Sequence, residues 1–273
     1  MEVLSSRLIA SPAPSSTMPH LPLELIWLIV EQTLLHDTSK DKYILAIPTH
    51  LITLNRVIYG LVIKLIYRTT ILLSSRALAK FLSLLTNSPN IADLVRNIWI
   101  GTPRLEAFAH QVGWVPCAVQ GLLERTKNVK RLALPATFFP PSSDRVAIYY
   151  LTVSGSGVME PLNGTNTLHV YGLAQPAVVR GSQRKGLRKV VCELRRPCAP
   201  GAVGQLVRNL LEDSEMELEL ELSVPEGLGA WLDEELIEVR QICLYGSLSL
   251  RTNRTIHTDE SSCDRWAREC ASS

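Results

Sequence analysis

Apolar residues recur at helical spacing near the start of the chain, directly after two prolines. Pro19 and Pro22 precede a stripe of Leu and Ile at three- and four-residue intervals that continues to Val30. Because proline is tolerated in the first turn of a helix and not in its interior, this pattern predicts a helix that begins near Pro22. Leu21 and Leu23 then lie before or at the first turn, as an exposed apolar knuckle. Two interpretations stay open: a helix packed in its own core, and a knuckle that binds a partner.

Two further helices are predicted before residue 68. The second follows a polar connection, is kinked or split by Pro48, and carries the apolar stripe Ile44, Leu45, Ile47, Leu51 and Leu54. The third begins near Asn55 and ends near Tyr67, where β-branched residues indicate a strand. The first eighteen residues are rich in Ser and Pro, and we expect a disordered lead-in there.

Beyond residue 74, apolar strands alternate with helical stretches. We predict helices at residues 75–86, 115–126, 201–211 and 227–238. The pattern apolar-x-x-apolar-x-apolar recurs as Val95/Ile98/Ile100, Val129/Leu132/Leu134, Leu187/Val190/Cys192 and Val239/Ile242/Leu244, and more weakly as Thr165/Leu168/Val170. It is typical of the strand half of a leucine-rich repeat, whose alternate apolar side chains enter a core shared between neighbours. The spacing is irregular, so we expect a degenerate array, with a generic α/β domain as the alternative.

Three segments of the first hundred residues resemble predicted fungal F-box proteins. They are Leu-Pro-x-Glu-Leu-Ile at residues 21–26, Leu54-Asn55-Arg56, and Leu65-Ile66-Tyr67-Arg68-Thr69-Thr70-Ile71-Leu72. The resemblance covers residues 19–101 and implies an α/β fold, with a small helical F-box-like module followed by an irregular leucine-rich-repeat-like solenoid. The expected ranges are 1–18 for the lead-in, 19–73 for the F-box-like module, 74–256 for the repeat domain and 257–273 for a polar tail.

The same resemblance implies a non-catalytic function. It implies a substrate-receptor subunit of a Skp–cullin–F-box ubiquitin ligase, which binds a Skp-type adaptor through its N-terminal helices and an unidentified target protein through its repeats. The adaptor-binding residues that it implies are Leu21, Pro22, Leu23, Leu25, Ile26 and Ile29. The alternative is a stand-alone repeat scaffold with a decayed F-box.

Alternation along each repeat strand predicts the target-binding face. The residues that flank the buried pair of a strand point to one shared concave surface. We expect this surface to be aromatic and basic at one end and acidic at the other, while Trp99 as a core residue is the alternative. The predicted residues are Trp99, Arg131, His169, Tyr171, Lys189, Glu193, Glu219, Glu221, Gln241 and Tyr245.

Charge is segregated in the second half of the chain. Residues 180–196 hold seven Lys and Arg against Glu193, and residues 212–238 hold eleven acids and no base. Met216–Leu222 alternates Glu with apolar residues, which predicts a strand with one buried and one anionic face. Lys189 on a neighbouring strand would relieve the repulsion between those glutamates. We expect mutual neutralisation and no nucleic-acid groove, because the basic run lacks interleaved aromatics.

Composition narrows the class of protein further. Of 273 residues, 46% are apolar and 20% charged, which favours a globular chain, and the net charge of +2 is too small to indicate nucleic acid or a membrane as a partner. Six scattered cysteines indicate reduced thiols, in the cytoplasm or nucleus. Lys64 and Arg68 interrupt the apolar stretch 57–73, so no membrane span is predicted.

No pattern for a nucleophile or a bound cofactor occurs, and Cys263 and Cys270 are expected to lie in the tail without a metal. We therefore expect a protein that is not an enzyme.

Overall fold

The computed structural model describes most of the chain from residue 56 onward. The chain divides into two compact units, residues 1–62 and residues 63–273. The described ranges are 56–108, 113–140, 147–154, 158–159, 164–171, 178–179, 186–194, 201–211, 218–224, 228–243, 248–253 and 262–271. The first two predicted helices and all six predicted adaptor-binding residues lie outside these ranges.

The described α-helices include five that the sequence predicted and two, at residues 89–92 and 262–271, that it did not. They are α1 (Arg56–Arg68), α2 (Ser75–Asn87), α3 (Pro89–Ala92), α4 (Val115–Arg125), α5 (Ala202–Leu211), α6 (Gly229–Cys243) and α7 (Ser262–Ala271). In α2, the Ser74 side chain caps the first turn by accepting a hydrogen bond from the Ala77 N–H at 3.2 Å. Leu78, Phe81 and Leu85 then fall on one buried face because they are three and four residues apart.

The strands form one large sheet and one small one. In chain order they are β1 (Thr69–Leu72), β2 (Asn97–Ile100), β3 (Arg131–Pro135), β4 (Tyr150–Ser154), β5 (Val158–Met159), β6 (Thr167–Tyr171), β7 (Val178–Val179), β8 (Lys189–Glu193), β9 (Leu218–Ser223) and β10 (Leu248–Asn253). The large sheet has eight strands in the order β1-β2-β3-β4-β6-β8-β9-β10, and β5 pairs with β7. All of these pairs are parallel, so the large sheet follows chain order from one edge to the other.

The two faces of the large sheet differ in what covers them. One register row runs Ile98, Leu132, Leu151, Leu168, Val190, Leu220 and Leu250. Its members pack in a single hydrophobic cluster with buried residues of α2, α4, α5 and α6. The neighbouring row points to the opposite face because side chains alternate along a strand. That row runs Trp99, Ala133, Thr152, His169, Val191, Glu221 and Arg251.

Two expected boundaries of the repeat domain differ from the structure. β1 precedes residue 74, yet it pairs along its whole length with β2. α7 follows residue 256, yet its Trp266 is wholly buried. The sheet unit therefore extends beyond residues 74–256 at both ends, and the polar tail expected at 257–273 contains a packed helix.

The assignment of strands was wrong at one place and incomplete at four. Residues 239–243, expected to begin a strand, belong to α6, where Leu232, Leu236 and Val239 are buried at helical spacing. β4, β5, β7 and β10 were not predicted. β4 nevertheless carries the repeated pattern, as Ile148, Leu151 and Val153, all wholly buried. The same rule, applied throughout, would have found that strand.

Candidate functional site

Helix α7 packs against the sheet face opposite the other helices. Trp266 lies over Trp99 of β2, with ring centroids 5.5 Å apart and planes at 60°. The Cys263 N–H, in the first turn of α7, donates a hydrogen bond to the Pro103 carbonyl at 3.1 Å. Trp99 itself donates from Nε1 to the Thr102 carbonyl at 3.1 Å. The loop after β2 therefore fixes both the indole of Trp99 and the start of the helix.

The sequence of α7 explains why only a narrow stripe of this helix is buried against the sheet. Its buried residues, Ser262, Cys263, Trp266 and Cys270, lie along one side because Trp266 is three or four residues from each of the others. Asp264 in the first turn and Arg268 in the last turn both suit the helix dipole. The remaining positions are charged or small, so tryptophan provides most of the apolar surface that the helix buries.

An arginine–glutamate pair ties α7 to β6 and β8. Arg265 donates from Nη2 to the Glu193 carboxylate, and also to the Tyr171 hydroxyl at 2.6 Å. Its guanidinium lies 5.3 Å from the centre of the Tyr171 ring. Burial disfavours the charged guanidinium, but Tyr171 and Glu193 outweigh burial and raise the pKa of Arg265 above its ordinary value. Glu193 is only 1% exposed, so this pair neutralises a carboxylate inside the protein.

His169 lies beside this pair, between two tyrosines. Its ring stacks on Tyr171 with centroids 4.3 Å apart, and its Nδ1 lies 3.4 Å from the Tyr150 hydroxyl. Burial, then the positive charges of Arg265 and Lys189, lower the pKa of His169 to about 3. A neutral ring that accepts from Tyr150 at Nδ1 carries its proton on Nε2, which faces Glu193 Oε2 at 3.8 Å.

Two tyrosines under α7 and two cysteines of α7 stay protonated around neutral pH. Burial raises the pKa of Tyr150 and of Tyr171 above the usual tyrosine value. Burial also raises the pKa of the Cys263 and Cys270 thiols to about 12, which keeps both protonated. Groups that exchange no proton near pH 7 are poor general acids, bases or nucleophiles. The arrangement is chemically suited to holding a helix.

A charged patch continues the same face beyond α7. Lys189 Nζ lies 3.4 Å from Glu219 Oε1 and 2.8 Å from Glu221 Oε2, and Arg251 Nε lies 3.3 Å from Glu219 Oε1. The hydrogen bond with Glu221 is the main reason that the pKa of Lys189 is raised. The predicted role of Lys189, to relieve the glutamates of β9, is thus confirmed.

The structure brings eight of the ten predicted target-binding residues to this one face. They are Trp99, Arg131, His169, Tyr171, Lys189, Glu193, Glu219 and Glu221, as the register of their strands requires. Gln241 does not join them, because it lies on α6 and not on a strand. Tyr245 lies outside the described residues.

The predicted exposure of this face was wrong at its centre. Trp99, His169, Tyr171 and Glu193 are buried, and Trp99 is wholly so. Residues 257–273 were expected to form a polar tail, so the helix that covers Trp99, Tyr171 and Glu193 was not predicted. The available signal was the four-residue spacing of Ser262, Trp266 and Cys270, with acid before base along the helix.

Three further observations concern ligands, membranes and relatives. Within the described ranges, no group of three or more His, Cys, Asp or Glu is placed to hold a metal ion. No described helix is long and apolar enough to cross a membrane. Comparison of the chain with models of protein families, with curated proteins and with solved structures found no match.

Proposed function

We propose that this chain is a non-catalytic substrate receptor of a cullin-type ubiquitin ligase. Residues 19–73 bind a Skp-type adaptor, with Leu21, Pro22, Leu23, Leu25, Ile26 and Ile29 as the contact residues, and the sheet unit binds a target protein. A helix that enters a groove of its partner draws most of its binding energy from a few apolar anchors. The knuckle and stripe of residues 21–29 are such anchors.

One observation carries the proposal. Eight parallel strands pair in chain order, and the helices between them pack on one face of the sheet. We infer an irregular leucine-rich-repeat-like solenoid, because in such a stack each strand–helix unit buries its apolar side against the next and leaves a long second face for a partner. This arrangement follows a Leu-Pro-x-Glu-Leu-Ile segment in the sequence, as the F-box resemblance implies.

Co-purification with a Skp-type adaptor tests the proposal. The full chain should capture the adaptor, and the double variant Leu21→Asp/Leu25→Asp should lose capture by about 30-fold or more. Ile237→Asp is the control, since it replaces an apolar residue with aspartate at a position that is 62% exposed. Tryptophan fluorescence should show that both variants retain the sheet unit.

Two other outcomes of this experiment would argue against the proposal. Equal capture by the double variant and the control would place adaptor binding elsewhere and overturn the proposal. Failure of the unaltered chain to capture the adaptor would favour the alternative, a stand-alone interaction protein with a decayed F-box.

A further inference from the structure

The contact between α7 and the sheet has the composition of a protein–protein interface. It is built from Trp99, Trp266, Tyr171 and Arg265, and these residue types are enriched among the residues that dominate binding energy. The helices on the other face differ. α5, for example, buries Ala202, Val203, Leu206 and Val207, a broad aliphatic surface typical of a domain core. α7 thus resembles a bound ligand of the sheet more than a member of its core.

Several contacts on the sheet side of this interface are made within the sheet and the loop after β2. Trp99 is held by its hydrogen bond to the Thr102 carbonyl, and Gly101, with φ +141°, turns the chain into that loop. His169 and Tyr171 stack on each other along β6. The Tyr150 hydroxyl meets His169, and Arg131 lies 4.9 Å from the centre of the Tyr150 ring. A receptor whose side chains are fixed before binding loses less entropy when its ligand arrives.

We propose that α7 occupies, within the chain, the surface that binds a target helix, and that a target helix displaces it. This inference rests on the proposed function in taking the partner to be a target protein. The partner is an amphipathic helix that presents an arginine directly followed by a tryptophan. Small residues stand three positions before and four positions after the tryptophan, as Cys263 and Cys270 do in α7.

The charge and shape of the surface under α7 determine which side chains the partner helix needs. Glu193 is buried, so a partner that replaced α7 without a cation would leave a carboxylate in a dry interface. Arginine suits the position because it reaches the carboxylate while its plane faces the Tyr171 ring. The space over Trp99 takes a flat aromatic ring, and Cys263 and Cys270, which flank Trp266 on the buried side of the helix, are small.

The experiment separates α7 from the sheet by a single cut. A protease site is placed within residues 254–261 of the full chain, the chain is folded, and the site is then cleaved. A fluorescein-labelled peptide of residues 258–273 is added, and its binding is followed by fluorescence anisotropy. We expect the peptide to exchange with the cleaved helix and to bind saturably.

Matched variants of the peptide test which of its side chains the sheet surface recognises. Arg265→Ala and Trp266→Ala should each weaken binding by about 30-fold or more. Arg268→Ala, at an exposed position of the same helix, should change binding by no more than about twofold. Uncleaved chain should bind the labelled peptide far more weakly, because the surface is already occupied.

Two results would overturn the proposal. In the first, the cleaved chain loses its far-ultraviolet circular dichroism when the helix leaves, which makes α7 part of the core. In the second, the sheet stays folded but the peptide does not enter, or all three peptide variants bind alike. Adaptor capture by the same samples is measured separately, so failure of the adaptor role leaves the peptide result standing, and the reverse also holds.

Discussion

Trp99 and Trp266 form a tilted ring pair, one on the second strand of the sheet and the other on the last helix, and both are wholly buried. Each ring is buried by contact with an element that is distant in the sequence. The pair therefore docks the C-terminal helix on the sheet and makes the stability of the docked state depend on residues 262–271.

The first prediction follows from this pair. Trp266→Ala should lower the free energy of unfolding by about 3–5 kcal/mol, because it removes a buried ring and leaves a cavity against Trp99. Trp266→Phe should cost less than half of that, since it keeps an aromatic contact and Nε1 of Trp266 makes no hydrogen bond in the described part of the chain. Urea unfolding followed by circular dichroism measures both.

Tyr149→Ala is the control for that series. Tyr149 is 59% exposed, and its truncation should change stability by no more than about 0.5 kcal/mol. A loss for Trp266→Ala as small as this would contradict the docking of α7 on Trp99.

The second prediction concerns the pair formed by Arg265 and Glu193. Arg265→Ala should cost about 3–5 kcal/mol, because it leaves a carboxylate that is 1% exposed without its guanidinium. Adding Glu193→Gln to Arg265→Ala should restore part of the loss, since the buried charge is then gone. A double-mutant cycle measures the coupling, and strictly additive losses would argue against the pair.

The third prediction is a dependence of stability on pH. The pKa of His169 is lowered from 6.5 to about 3 in the fold, so between these values the unfolded chain binds the extra proton and the folded chain does not. This contribution to stability is fully present above pH 6.5 and is lost as the pH falls from about 6.5 toward 3, on the order of a few kcal/mol in total.

His169→Gln tests the origin of that dependence. Glutamine does not titrate, so the unfolding free energy of the variant should fall less steeply with decreasing pH than that of the unaltered chain. Arg265, Lys189 and Glu193 still face the position in the variant. Denaturation in urea at several pH values between 4 and 7 gives the slopes. Equal slopes for the two proteins would mean that His169 is not the group responsible.

The fourth prediction concerns the charged patch around Lys189. Lys189→Met should cost about 1 kcal/mol or less at low salt, because Glu219 and Glu221 then repel each other while they remain partly open to water. The difference should shrink in 1 M salt, where charges in contact with solvent are screened over about 3 Å. Lys189→Arg, which keeps the charge, should stay near the original stability, and a loss that salt does not reduce would point to packing instead.

The sequence by itself determined most of the local structure in the described ranges. Apolar residues at three- and four-residue intervals located α2, α4 and α5, and the alternation of Glu and Leu located β9, because these periods are properties of a single segment. The recurring apolar pattern also assigned Trp99, His169, Lys189 and Glu219 to one sheet face. That assignment needs only strict alternation and a common register.

Only the tertiary structure decided which part of that face is open to solvent. Half of the residues of α7 are polar or charged, and no local rule indicates that Trp266 would contact Trp99 or that Arg265 would contact Glu193. Burial depends on which distant segment covers a residue, and periodicity carries no information about that. The sequence therefore determined the direction in which the side chains point, whereas the docking of the last helix decided which of them are buried.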